Sequence, residues 1–229
     1  MNIKPVLAGL SLVALFFAAG CCCCKNQKSG TAGAINLFNG KDIDAWNYVL
    51  LDPKVQKDEV WSVKDGMIVC KGSPVGFITT GPKVKNFRLE VEYRWAPGAK
   101  PGNSGIFSRI HEPLMALPAC SEIQLQHGSA GDILTLQYMN MSTNQPRSFF
   151  VSKHALGGDI TGVKKTMDRE KPAGEWNHVE ILAQDDRYTV WMNGEKVNEA
   201  TGVQVCEGTI GLQSEGGEVH FRKVSLQPL

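Results

Sequence analysis

Net charge is almost missing from this chain, with 24 Lys and Arg against 23 Asp and Glu. No run of basic residues breaks that balance, so a nucleic-acid partner is excluded for want of an electrostatic footprint. Helical periodicity is nearly absent, and so is any internal repeat. Zinc-finger spacing is missing as well. The consecutive cysteines Cys21, Cys22, Cys23 and Cys24 cannot easily wrap one tetrahedral ion, and no second Cys/His pair follows at finger spacing. Asp132, Glu122 and His127 carry suitable ligand atoms, yet no motif gathers them. No cofactor is expected, and a divalent metal stays unassigned. The one long apolar run, residues 5–20, is too short for a comfortable membrane span.

That run reads as a leader. Lys4 gives it a positive flank, and it closes on Ala18, Ala19 and Gly20 immediately before Cys21. The junction is similar to the lipobox of bacterial lipoproteins, with Ala18 where Leu is usual. Simple secretion without lipid is the alternative. Residues 1–20 are expected to be removed, Cys21 to be acylated, and residues 21–35 to remain as a small polar tether. The expected place is the bacterial cell envelope, lipid-anchored and facing the periplasm, since no acidic run of the kind tied to surface export follows Cys21. Residues 36–229 are then enough for one domain with a full core. Export permits a disulfide, but Cys70, Cys120 and Cys206 are odd in number and widely spaced, and none is expected.

Short alternation is what the chain has in quantity. Residues 61–63 and 66–71 read as paired strands around a Lys64-Asp65-Gly66 turn. Residues 86–95 read as a longer strand, with Phe87, Leu89, Val91 and Tyr93 on one face and Arg88, Glu90, Glu92 and Arg94 on the other. Residues 133–139, 176–183, 187–193, 208–213 and 218–226 follow the same pattern, while residues 140–174 read as a long irregular stretch. Such a succession predicts a two-sheet antiparallel sandwich. Trp46, Trp61, Trp176 and Trp191 are read as core.

Two further strands carry the chemistry. On the first, Asn103, Gly105, Phe107 and Arg109 share a face by strict alternation. On the second, Glu122, Gln124 and Gln126 share a face, while Ile123 and Leu125 point the other way. A carboxylate, amides, a guanidinium, an aromatic ring and a flat glycine make a floor suited to a sugar. An ordinary solvated face is the plain alternative.

These segments resemble the 3-keto-disaccharide (3-keto-glycoside) hydrolase family. The likeness begins at Leu37-Phe38-Asn39-Gly40-Lys41-Asp42 with Trp46, and continues through Trp61-Ser62-Val63 with Asp65-Gly66. It passes Asn103-Ser104-Gly105-Ile106 with Arg109, Glu122-Ile123-Gln124, Gly174-Glu175-Trp176-Asn177 and Met192-Asn193-Gly194. It ends at Gly208-Thr209-Ile210-Gly211-Leu212-Gln213 and Val219-His220-Phe221-Arg222. The resemblance implies an all-β, antiparallel jelly-roll sandwich of the concanavalin A-like lectin/glucanase type, with carbohydrate on the concave sheet. It also implies cleavage of sugars oxidised at C3, supplied by a partner sugar 3-oxidoreductase. The chain departs from the family where many members have His, here Ser214-Glu215, and where an Asp is common, here Gln126-His127.

Sandwich glucanases of this fold often carry Glu-x-Asp-x-Glu on the concave strand, and retaining hydrolysis needs two carboxyls about 5–5.5 Å apart. Here that strand reads Glu122-Ile123-Gln124-Leu125-Gln126, so one carboxylate survives. A 3-keto sugar needs less. Its ketone acidifies the C2 hydrogen, a base removes it, the C1 substituent leaves, and water then adds. The expected catalytic groups are Glu122 or a nearby histidine as base, Arg109 as electrostatic stabiliser, and His127 and His154 as proton carriers. Asn103, Gln124, Gln126, Trp95, Tyr138 and Glu215 are the expected substrate contacts, Trp95 as a stacking platform. Each has a structural alternative: Glu122 pairs with Arg109, His127 stays on the Ile123 face, His154 lies in a solvated loop, and Trp95 is buried. A lectin-like module that binds carbohydrate without turnover is the alternative function.

Overall fold

Alternating side chains need a second sheet to bury one face, and the described residues supply two sheets of eight strands. The computed structural model describes residue 1, residues 33–112 and residues 114–229. The expected leader, the acylated Cys21 and nearly all of the tether fall outside those residues. In chain order the strands are β1 (Ile35–Asn36), β2 (Asn47–Leu50), β3 (Trp61–Lys64), β4 (Met67–Cys70), β5 (Gly76–Val84), β6 (Phe87–Trp95) and β7 (Gly105–Ile110). Next come β8 (Ser121–Gln124), β9 (Ile133–Thr135), β10 (Ser148–His154), β11 (Gly158–Val163) and β12 (Asn177–Gln184). The last four are β13 (Arg187–Met192), β14 (Glu195–Ala200), β15 (Gly208–Ser214) and β16 (Val219–Pro228). The one helix described, α1 (Lys57–Val60), is a single turn.

The first sheet runs β14-β13-β12-β6-β16-β4-β3, with β1 paired to β16; the second runs β10-β11-β9-β8-β7-β15-β5-β2. All the pairings are antiparallel. The β3–β4 hairpin turns where Asp65 and Gly66 both adopt positive φ, 51° and 71°, as that two-residue turn demands. Along β6, Phe87, Leu89, Val91, Tyr93 and Trp95 are buried against the second sheet, and the four charged residues between them face outward.

Trp46 and Trp61 are core, but Trp176 and Trp191 are not. Trp176 lies between the guanidinium groups of Arg94 and Arg222, 4.6 and 4.3 Å from its ring centre, on the outer face of the first sheet. Alternation places both rings there, since each is one residue out of step with its buried neighbour. The stretch 140–174 is also more regular than its sequence suggests, because it contains β10 and β11. β10 is an edge strand exposed over most of its length, so it carries no buried face to announce it.

A second apolar cluster lies outside the sandwich interior. Phe77, Phe107, Ile110, Leu117, Cys120, Leu134, Leu136 and Ile160 pack together on the far face of the second sheet. Leu117 and Cys120 lie between β7 and β8 in sequence, so residues 117–120 lie over that face. This cluster divides the face into two polar ends.

Candidate active site

The site forms where β7, β8 and β15 lie side by side. Register sets Phe107 opposite Glu122 and Gly105 opposite Gln124, while Ile106 and Ile123 enter the sandwich core. On β15, Leu212 lies opposite Ile106, so Gln213 falls on the same outer face as Gly105. Gly105 matters for what it lacks. A Cβ there would sit 2.3 Å from Glu122 Oε1 and 2.9 Å from Gln213 Oε1, so the two oxygens converge on space only a glycine leaves open.

Glu215 follows β15 on the same face. Its Oε2 accepts hydrogen bonds from Asn103 Nδ2 and Gln213 Nε2, each 2.7 Å. Asn103 is brought there by its backbone, whose N–H donates to Gly216 O at 2.7 Å. That approach needs Gly102, since a Cβ on it would lie 2.0 Å from Gly216 O. Both amides spend their NH2 groups on Glu215, which turns their carbonyl oxygens the other way. Asn103 Oδ1, Gln213 Oε1 and Glu122 Oε1 are all buried without a hydrogen-bond donor. Buried acceptors are normally satisfied, so three together mark a place built for a ligand's donors.

Two carboxyl groups share this site, held differently. Burial pushes the Glu122 carboxyl up to about 8, with the neighbouring Glu215 charge adding to the effect. Burial also raises Glu215, while the charge of His154 and the hydrogen bond from Gln213 pull it back. Glu122 therefore keeps its proton near neutral pH. The second carboxylate missing from β8 is supplied by the chain just beyond β15.

Several expected site residues stand elsewhere. Arg109 is fully buried on the inner side of its sheet, over the Tyr188 ring at 5.1 Å. Its guanidinium donates to Lys85 O (3.1 and 2.8 Å), Asp185 O (2.7 Å) and Gln204 O (2.7 Å). The β7–β15 register shifts at this point and Arg109 adopts φ 52°, so the bulge turns its side chain through the sheet. It is not a stabiliser at the site, and it does not pair with Glu122. Trp95 is buried and donates from Nε1 to Glu170 Oε1 (3.0 Å), so it is no platform. His127 sits beyond the end of β8, where its Nδ1 meets Glu170 Oε2 at 2.9 Å. Gln126 also lies past the strand end and is exposed, so alternation no longer governs it. Tyr138 is exposed and donates its hydroxyl to Glu112 O at 2.9 Å, on the segment over the apolar cluster.

The structure brings together Glu122, Gln124, Asn103 and Glu215, with His154 near enough for its charge to act on Glu215. Gln124 Oε1 accepts the Gln126 N–H at 2.8 Å. Gln213 was not singled out from sequence. Its signal was there, since Thr209, Gly211 and Gln213 alternate onto one face just before Glu215. Among the described residues, no group of three or more His, Cys, Asp or Glu converges as metal ligands do.

Two antiparallel sheets packed as a jelly-roll sandwich, with two unlike carboxyls and three unpaired acceptors on one of them, define the concanavalin A-like class of fold. The comparisons narrow that class. The family of 3-keto-alpha-glucoside-1,2-lyase-like domains matches residues 33–227, and the chain belongs to that family. It is 25% identical, over 86% of its length and 79% of the relative's, to a 3-keto-disaccharide hydrolase of Bacteroides thetaiotaomicron. A candidate glycosyl hydrolase of Parabacteroides distasonis superposes with a TM-score of 0.61 at 23% identity, covering 86% of this chain and 94% of the other. The Bacillus licheniformis beta-glucanase superposes with a TM-score of 0.55 at 13% identity, covering 88% and 100%. These last two show the jelly-roll fold alone.

Proposed function

We propose that the protein cleaves 3-keto-glycosides by elimination followed by hydration. The observation that carries this reading is the unequal pair of carboxyls. Glu122 has no partner and holds a proton, whereas Glu215 is held by two amides. Environments that drive two acids apart assign an acid and a base. Glu215 takes the proton from C2, next to the ketone. Glu122 donates to the oxygen on which negative charge develops as the C1–O bond breaks. Addition of water across the C1=C2 bond returns the C2 proton and completes net hydrolysis. Asn103 Oδ1 and Gln213 Oε1 accept from ring hydroxyls, and His154 exchanges protons with solvent. A sugar 3-oxidoreductase supplies the substrate.

Membrane attachment through an acylated Cys21, facing the periplasm, belongs to the same proposal; it is supported by the small residues preceding that cysteine. Mass spectrometry of the mature N-terminus reads it directly, and an unmodified Cys21 overturns it.

Turnover in deuterated water tests the chemistry. Deuterium should enter C2 of the 3-keto sugar, and Glu122→Gln and Glu215→Gln should each slow release by about 10²–10⁴. Cleavage with the C2 hydrogen fully retained refutes elimination. Binding of the 3-keto-disaccharide without any release points instead to a lectin-like module.

A further inference from the structure

At the opposite end of the same sheet face lies a cavity of about 370 Å³, walled by Asn47, Thr79, Lys83, His111, Glu207 and Thr209, with Ile110 and Leu114 as its apolar side. Glu112 also borders it, but its Oε2 accepts the Leu114 N–H at 3.1 Å. The cavity is separate from the carboxyl pair. Thr209 and Gln213 are four residues apart on β15, roughly 13 Å at about 3.3 Å per residue. Between them stand Phe77 and Phe107, edge to face at 5.6 Å, with Leu117 in the same cluster. One sugar ring does not reach both ends.

We propose that this cavity is a second, non-reacting site for a neutral pyranoside. Hydrogen-bond accounting supplies the first reason. Thr79 Oγ1 bonds both Ile210 O (2.8 Å) and Thr209 Oγ1 (2.7 Å). Thr79 Oγ1 is the donor in both contacts, so its one proton is shared between them and Thr209 Oγ1 is an acceptor there. The Thr209 hydroxyl, which lines the cavity, keeps its own proton for a ligand acceptor. His111 Nε2 is buried with no partner, a second group that a ligand hydroxyl satisfies. The Asn47 amide and the Lys83 ammonium add donors, and Glu207 adds acceptors.

Charge supplies the second reason. One Lys against Glu112 and Glu207 gives no surplus of positive charge for a phosphate or carboxylate. Mixed donors and acceptors beside a small apolar wall match the hydroxyl rim and C–H face of a hexopyranose. The volume lies at the small end of the roughly 300–1,000 Å³ range of ligand pockets, which suits one ring rather than a chain. This site stands independently of the elimination chemistry.

Amide NMR of the full chain, titrated with the methyl glycosides of glucose, galactose and mannose, tests the proposal. At least one should shift the Asn47, Thr79, His111 and Thr209 amides, equally in wild type and in Glu122→Gln. His111→Phe and Thr209→Val should each weaken that response by about tenfold, the loss expected for one hydrogen bond. The proposal is overturned if none of the three glycosides moves those amides. It is also overturned if only glucose 6-phosphate or glucosamine does, or if both substitutions leave the response unchanged. Loss of 3-keto-glycoside cleavage with these shifts intact counts against the reaction alone, and the reverse pattern counts against this site alone.

Discussion

Glu122 lacks any hydrogen-bonding partner for its buried oxygen, so its proton is what makes its position tolerable. Its value is raised from 4.5 to about 8 on folding, which means the native state binds more protons than the unfolded chain between those limits. The favourable contribution is complete below about pH 4.5 and is lost as pH rises toward 8. Urea melts between pH 5 and 8 should therefore show stability falling with pH, by up to about 1.4 kcal/mol per unit from this group. Glu122→Gln should flatten that slope, and an unchanged slope would place the proton elsewhere. Arg109 presents the opposite case, a buried charge fully occupied by carbonyls of three separate segments. Arg109→Met should cost about 3 kcal/mol in urea unfolding, since those carbonyls lose their donors. The cleavage rate per folded molecule should be unchanged, because no atom of Arg109 reaches the carboxyl pair. A selective loss of rate would restore it to the site.

At the scale of elements, β7 shows what alternation can and cannot tell. Asn103, Gly105 and Phe107 fall where a regular strand puts them, and Arg109 does not, because a bulge beside β15 reverses the last step. Nothing in Ser108-Arg109-Ile110 advertises that bulge, which lies where the register with β15 shifts. The end of β8 at Gln124 was equally hidden, and with it the true positions of Gln126 and His127. Glu122 and Gln124 were legible, being inside the strand. The pairing of Glu122 with Glu215 was not, since it joins residues far apart in the chain through sheet order. Gly105 carries the sharpest consequence of β7. Gly105→Ala puts a methyl group where Glu122 Oε1 lies and should lower activity by about 10²-fold, the effect of an ångström of misplacement in a catalytic group. The far-ultraviolet spectrum should be retained. Full activity in that variant would separate Glu122 from the reaction.

For the whole molecule, the two-sheet architecture was legible because strands such as β6 and β12 bury one face and wet the other, residue by residue. The order of the strands within the sheets was not. Period alone cannot say that β16 lies between β6 and β4, and β10 and β11 left no alternating trace. A chain ending before Val219 should lack cooperative unfolding by circular dichroism, because β1, β4 and β6 then lose their shared neighbour. A sharp transition in that truncated chain would contradict the sheet order.

The place of β16 has a temporal consequence. It is the last of the described strands in chain order, yet it joins β6 to β4 and also carries β1, from the start of the sandwich. A chain emerging from the ribosome cannot close its first sheet until β16 has left the tunnel. Until then β6 and β4 present open edges, and Phe87, Leu89 and Val91 lack the neighbours beside which they pack. Closure of this sheet therefore waits on every other strand of the sandwich, and the nascent chain depends on whatever shields those edges in the interval.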